Sequence, residues 1–185
     1  MKKVPIRIGQ KPGHGFESPL GLLSDCHRRI EQFLEALITV ARRPSARALS
    51  PSDRAALEGA LDYFANAAPK HTADEEDSLF PRLRASADPD IRRALAVVDT
   101  LERDHREADQ HHRIVDALGR RWLAAGSLTA DERHELGNHV QVLQAIYLRH
   151  IAIEDRDLFP AAGRALGEAD LREIGREMAA RRVRR

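Results

Sequence analysis

The sequence predicts an all-α fold, an up-down-up-down four-helix bundle, on three observations. Leu, Ala, Arg and Glu dominate, while aromatic residues make up only 4% and strong strand formers are scattered instead of alternating. Along four long stretches, apolar residues recur at steps of three and four, which keeps them on one stripe of a helix. The chain also repeats itself. A shift of 79 residues lays Leu57, Leu61, Phe64, Ala68, His71, Glu75 and Leu79 on Leu136, Val140, Leu143, Tyr147, His150, Glu154 and Leu158, and both strings end in Phe-Pro. A shift of 78 lays Leu20, Leu23, His27, Ile30, Leu34 and Leu37 on Val98, Leu101, His105, Ala108, His112 and Val115. Two helix pairs, each half a bundle, account for both shifts.

The elements follow in order. "GQKPGHGFESP" is too rich in Gly and Pro for a helix, so residues 1–18 read as an N-terminal arm. Helix one is predicted from Pro19 to about Arg43, with Ser18 as its cap and Pro19 in its first turn. "PSARALSPSD" connects it to a second helix opened by Ser50 or Ser52 and ending near Ala85. Pro69 lies inside that pattern, where it removes the hydrogen bond to the carbonyl of Ala65, so a bend or a break is expected just before His71. "ADPD" starts a third helix lasting to about Ala125, and "GSLTADE" caps a fourth reaching Phe159. The bundle thus spans 19–163, and residues 164–185 form a shorter fifth helix with an Arg-rich end.

Composition limits what such a chain does. No run approaches the roughly 18 apolar residues of a membrane span, and "MKKVPIRIGQ" lacks the apolar stretch of a secretory signal, so a soluble cytoplasmic protein is expected. One cysteine, Cys26, excludes an internal disulfide framework. The formal net charge is +1, of which the four arginines of "RRVRR" contribute +4, leaving −3 for the rest. The body is therefore no general polyanion binder, and five residues without an aromatic platform make a poor nucleic-acid site.

The chemistry lies on the apolar seams, which carry His27, His71, Glu75, His105, His150 and Glu154. Burying two carboxylates in one core costs several kcal/mol even after relaxation unless a positive charge stands between them. A His and a Glu at i and i+4 share a helix face, so both can reach one metal or adjoining metals. A lone His-x3-Glu is ordinarily a solvated ion pair; two in core phase, both before Leu-Phe-Pro and both joined by an earlier core-phase His, form a metal site. Four imidazoles and two carboxylates able to bridge suit two metal ions, and these borderline-to-hard ligands fit iron or manganese. Ferritin-like di-iron proteins use the reverse order, Glu-x-x-His at i and i+3.

The set "DCHRR", "HTADEEDSLFP", "RDHRE" and "HIAIEDRDLFP" resembles the hemerythrin-like family, the HHE cation-binding proteins, over about residues 20–160. The resemblance implies a non-haem di-iron centre with His27, His71, His105 and His150 as terminal ligands and Glu75 and Glu154 as bridges. It also implies binding of O₂ or a related small ligand such as NO or peroxide, with two iron ions as cofactor and manganese or zinc as substitutes. Oxygen carriers of the family have a fifth imidazole four residues after the third-helix His, where this chain has Asp109. Simple oxygen carriage is thereby put in question, with His112, His111 or Glu31 as alternative extra ligands. Three functions stay open: sensing or handling of oxygen, redox state or iron; a di-iron enzyme such as a peroxide-consuming one; and a metal-free helical interaction module. Around the site, Phe33, Phe64 and Ile146 are expected to form walls, Tyr147 to pack, and Trp122 to plug the bundle end. Asp74, Glu76 and Asp155 read as a charged outer face, and Cys26 as a buried thiol flanking the centre. His14, His134 and His139 read as surface residues.

Overall fold

The computed structural model describes residues 13–43 and 48–183. The first twelve residues of the expected arm, part of the "PSARALSPSD" connector and the last two arginines lie outside the described residues. Within them the chain is helical, without strands: α1 (Pro19–Ala41), α2 (Pro51–Asn66), α3 (Ala68–Asp74), α4 (Phe80–Ala85), α5 (Pro89–Ala125), α6 (Ala130–Ile153), α7 (Phe159–Ala165) and α8 (Glu168–Val183). Two π-helical turns, Glu75–Leu79 and Glu154–Leu158, join α3 to α4 and α6 to α7. The helix α1 packs on α2 and α6, and α5 packs on the same two, which closes a ring of four around a common interior.

Helix ends follow local chemistry. Ser50 caps α2 by accepting from the Asp53 amide, and Thr129 and Glu132 form a reciprocal capping box at α6. Ser18 precedes Pro19 as expected, yet its side chain makes no capping bond. Its backbone is not in the extended conformation that aims an N-cap hydroxyl at the first turn. The break foreseen at Pro69 occurs at Ala67, between α2 and α3, where Pro69 cannot donate the bond that would continue the helix. The fourth helical pattern runs past Phe159, through α7 to Ala165.

Both π-turns stand directly before Phe-Pro. Pro81 and Pro160 have no amide to donate, and their rings crowd the carbonyls of Asp77 and Arg156 four residues back. The chain responds by widening one turn, so that the amides of Phe80 and Phe159 bond the carbonyls of Glu75 and Glu154, five residues behind. Each wide turn therefore begins at one of the two seam glutamates.

Two apolar clusters fill the interior, one around Ile30, Leu61, Leu143 and Trp122 and another around Leu23, Phe80, Leu158 and Met178. The ionisable seam residues lie between them. Trp122 is 2% exposed in the first cluster, with the Arg133 guanidinium over its ring. The helix α8 covers α1, α3 and the first π-turn. Gly175 makes this packing possible, because a Cβ there would lie 1.9 Å from the carbonyl oxygen of Phe16.

Candidate metal centre

All six seam residues converge in one place. His27, Glu75 and Glu154 are 0% exposed, and His71 and His150 are nearly so. Potential ligand atoms of His27, His71, Glu75 and Glu154 form one compact group, and those of Glu75, His105 and His150 form a second. Glu75 belongs to both. Its carboxylate lies 3.8 Å from His27 Nε2, 3.2 Å from His71 Nε2 and 3.2 Å from His105 Nε2. Glu154 Oε2 lies 3.1 Å from His27 Nε2 and 3.0 Å from His150 Nε2. Each carboxylate thus stands between imidazoles of both groups.

These contacts are not ordinary hydrogen bonds. None of the four Glu75 and Glu154 oxygens has a hydrogen-bond donor, although all are buried. The outer edges of two rings explain why. His27 Nδ1 donates to Asp155 Oδ1 at 2.9 Å, an oxygen that also accepts from Ser24, while Arg28 holds the other Asp155 oxygen. His105 Nδ1 donates to Glu76 Oε1 at 2.8 Å. A neutral ring with its proton on Nδ1 turns a bare Nε2 lone pair toward a carboxylate, acceptor against acceptor. Only a cation between them, a proton or a metal ion, removes that conflict.

The electrostatics carry the same message. Burial opposes the charged form of His27, yet Asp155, Glu154 and Glu75 overcome it and raise its pKa to about 11. Burial likewise opposes His105, and Glu75 and Glu76 lift it to about 10. His150 rises against burial to about 9 through Glu154 and Asp104. Burial dominates at His71, whose pKa falls to about 4. Burial would raise the Glu75 carboxyl, but His71, His105 and His27 hold it well below its ordinary range. A metal-free chain therefore gathers protons where a metal centre places cations.

Other expectations fare differently. Glu76 and Asp155 do not belong to a charged outer face, since they orient the rings of His105 and His27. A π-turn advances roughly 80° per residue in place of 100°, so a residue next to an inward glutamate still reaches the neighbouring helix. Asp74 is also no surface charge. It is fully buried, with Arg181 at 2.9 Å and Arg182 at 2.6 Å, and Arg181 also donates to Ser78. Two arginines of the Arg-rich C-terminal end are thus committed within the fold. Ile30, Ala68, Thr72, Tyr147 and Ile151 line the small space around the four imidazoles, with Phe159 stacked on His27 and Phe80 on His105. Phe64 lines the cavity beside His105, whereas Phe33 and Ile146 belong to the apolar cluster around Ile30.

Among the described residues, no further His or carboxylate joins either ligand group. Asp109 is exposed and pairs with Arg113 at 2.8 Å; Glu31 is exposed and pairs with Arg28 at 2.9 Å. His112 Nε2 is 2.9 Å from the Tyr147 hydroxyl and its ring stacks on Phe64. Cys26 is buried beside the centre without entering it, and burial pushes its thiol pKa up. A cavity of about 280 Å³, lined in part by Phe64, Pro69, Glu76, His105, His112 and Tyr147, reaches the His105 side of the centre.

The hemerythrin HHE cation-binding domain model matches residues 18–162, and the chain belongs to that family. It is also similar to an uncharacterized protein of Haemophilus influenzae, 29% identical over 169 residues, covering 90% of this chain and 91% of the relative. The His and Glu cluster described above is suited to binding metal. No helix among the described residues is long and apolar enough to cross a membrane.

Proposed function

We propose that the chain is a non-haem di-iron protein that binds O₂ or a related small ligand such as NO or peroxide, in sensing or handling of oxygen, redox state or iron. The observation that carries this reading is the set of four buried, donorless carboxylate oxygens facing imidazole nitrogens from four helical segments. His27, His71, His105 and His150 would hold the irons as terminal ligands, and Glu75 and Glu154 would lie between them. Manganese or zinc would fit the same donors. When bound, the iron pair supplies reversible redox chemistry and an open position for the small ligand.

The protein's own residues hold and shield that chemistry. Asp155 and Glu76 fix the tautomers of His27 and His105, so that Nε2 presents a lone pair inward. Phe80, Phe159, Ile30 and Ile151 keep bulk water from the centre. In this reading residues 19–163 are an up-down-up-down bundle, 1–18 an arm and 164–185 an appended helix, in a cytoplasmic protein. A metal-free interaction module would have to keep protonated imidazoles buried beside these carboxylates, a costly arrangement with no evident use in helix packing.

A second reading, a peroxide-consuming or oxidase-type enzyme, is favoured by the cavity beside His105 and Tyr147, which exceeds the needs of a diatomic ligand. The test is to reduce iron-loaded protein anaerobically and record visible spectra on adding O₂, NO or azide. The binding reading expects saturable spectral changes and peroxide turnover no faster than free iron. Steady turnover far above free iron would replace it with the enzyme, and spectra indifferent to every ligand would end both.

A further inference from the structure

A second group of metal-binding side chains lies outside the centre, on the contact between α5 and α6. His111 and His139 face each other with Nδ1 atoms 2.6 Å apart and ring centroids 4.9 Å apart, both half-buried. Neither is on an apolar seam, and neither touches the six residues of the centre. Elsewhere this contact is closed by pairs of opposite charge: Asp104 with Arg149 toward the centre, and Arg121 with Glu132 at 2.8 Å toward the far end. Between those ion pairs stand two bases.

Two imidazoles in contact share one proton, one Nδ1–H donating to the other ring's lone pair, and a metal ion bound by both nitrogens would take that proton's place. If both imidazoles are protonated they repel; if both are neutral, only one Nδ1 can carry the shared proton. Imidazole nitrogen is also a ready ligand for divalent ions late in the first transition row. Metal–nitrogen bonds of about 2.0–2.1 Å at a tetrahedral angle separate two nitrogens by roughly 3.3 Å, so the rings need open by less than about 1 Å. Glu107 and Glu135 each precede one of these histidines by four residues, one turn away on the same helix face, and both are exposed. Neither carboxylate stands with the two rings as a ligand group in this structure, so each would swing in by side-chain rotation, with water completing the coordination.

We propose that His111 and His139 form an outer site for one divalent first-row transition-metal ion, separate from the central pair and tying α5 to α6. Its neighbour in the chain, His112, bonds Tyr147 at the wall of the centre, whereas His111 and His139 line neither that cavity nor the space around the central ligands. This inference does not depend on what the centre binds.

Copper(II), which heads the affinity order, is the probe. Iron-loaded protein is titrated with copper(II) and followed by electron paramagnetic resonance and by the visible bands of the centre. One copper per chain with two-nitrogen hyperfine structure is expected, the bands of the centre staying unchanged. His139→Gln and His111→Gln should each weaken that binding by about tenfold or more, since the second imidazole acts at high effective concentration. His134→Gln, which alters an exposed histidine on the same helix, should leave it intact. Equal copper affinity and equal hyperfine structure in all four proteins would overturn the proposal, as would copper uptake that bleaches the centre.

Discussion

The two His-x3-Glu segments, 71–81 and 150–160, share a π-turn, an inward glutamate and a Phe-Pro ending, yet they are held in place by different means. In the first, Asp74 is buried and clamped by Arg181 and Arg182 of α8, and Ser78 takes a further bond from Arg181. The second has Ile153 where the first has Asp74, and Ile153 packs into an apolar cluster. Its outer carboxylate, Asp155, is tied to α1 through His27, Ser24 and Arg28. Duplication conserved what touches the centre, while the supports diverged: the first segment leans on charge supplied by the C-terminal helix, the second on apolar packing and α1.

The contrast is sharpest at the glutamates. Glu75 faces three imidazoles and Glu154 two, so Glu75→Ala should lose both metals, whereas Glu154→Ala should keep one; metal analysis of the purified variants decides. Next comes the clamp. Replacing Arg181 and Arg182 together by Ala strands a buried carboxylate and should cost about 3–5 kcal/mol in urea unfolding. Asp74→Ile, which copies the second segment, should cost clearly less, because the freed arginines reach water. Equal losses would mean that α8 holds by packing alone.

The outer carboxylates give a smaller effect. Asp155→Asn and Glu76→Gln should each weaken metal binding by about 10- to 100-fold, read by chelator competition. Asp155→Asn should be the worse, since Asp155 also engages Ser24 and Arg28. The smallest effect compares the halves at His112, which stands where the first half has Leu34. Burial, helped by His111, lowers the His112 pKa from 6.5 to about 4, so the folded state favours the neutral ring. Its contribution is full above the unfolded pKa of 6.5 and is lost as pH falls toward 4, by about 1–2 kcal/mol between pH 7 and 5. Metal-loaded His112→Gln should lose less stability than the parent over that range, measured by unfolding at each pH.

Much of this was legible in the sequence because it is periodic. The phase of His27, His71, Glu75, His105, His150 and Glu154 on apolar seams placed all six together, and Pro69 announced the break at Ala67. The roles of Glu76 and Asp155 were not legible under α-helical geometry, since the π-turns shift their directions. The Phe-Pro ending of both segments was the available signal. Asp74 reads as an outer-face charge for another reason: its partners lie over a hundred residues away, in the Arg-rich end of the C-terminal helix. Asp in one repeat against Ile in the other was the clue that this position is interior.

The most direct test is metal content after expression in iron-rich medium, determined for the parent chain and for His71→Ala. About two irons per chain, with the visible charge-transfer bands of a bridged iron pair, are expected for the parent, and at least one iron should be missing from the variant. A parent chain that folds without bound metal, or a His71→Ala chain that keeps both irons, would contradict the assignment of these buried side chains as a di-iron centre.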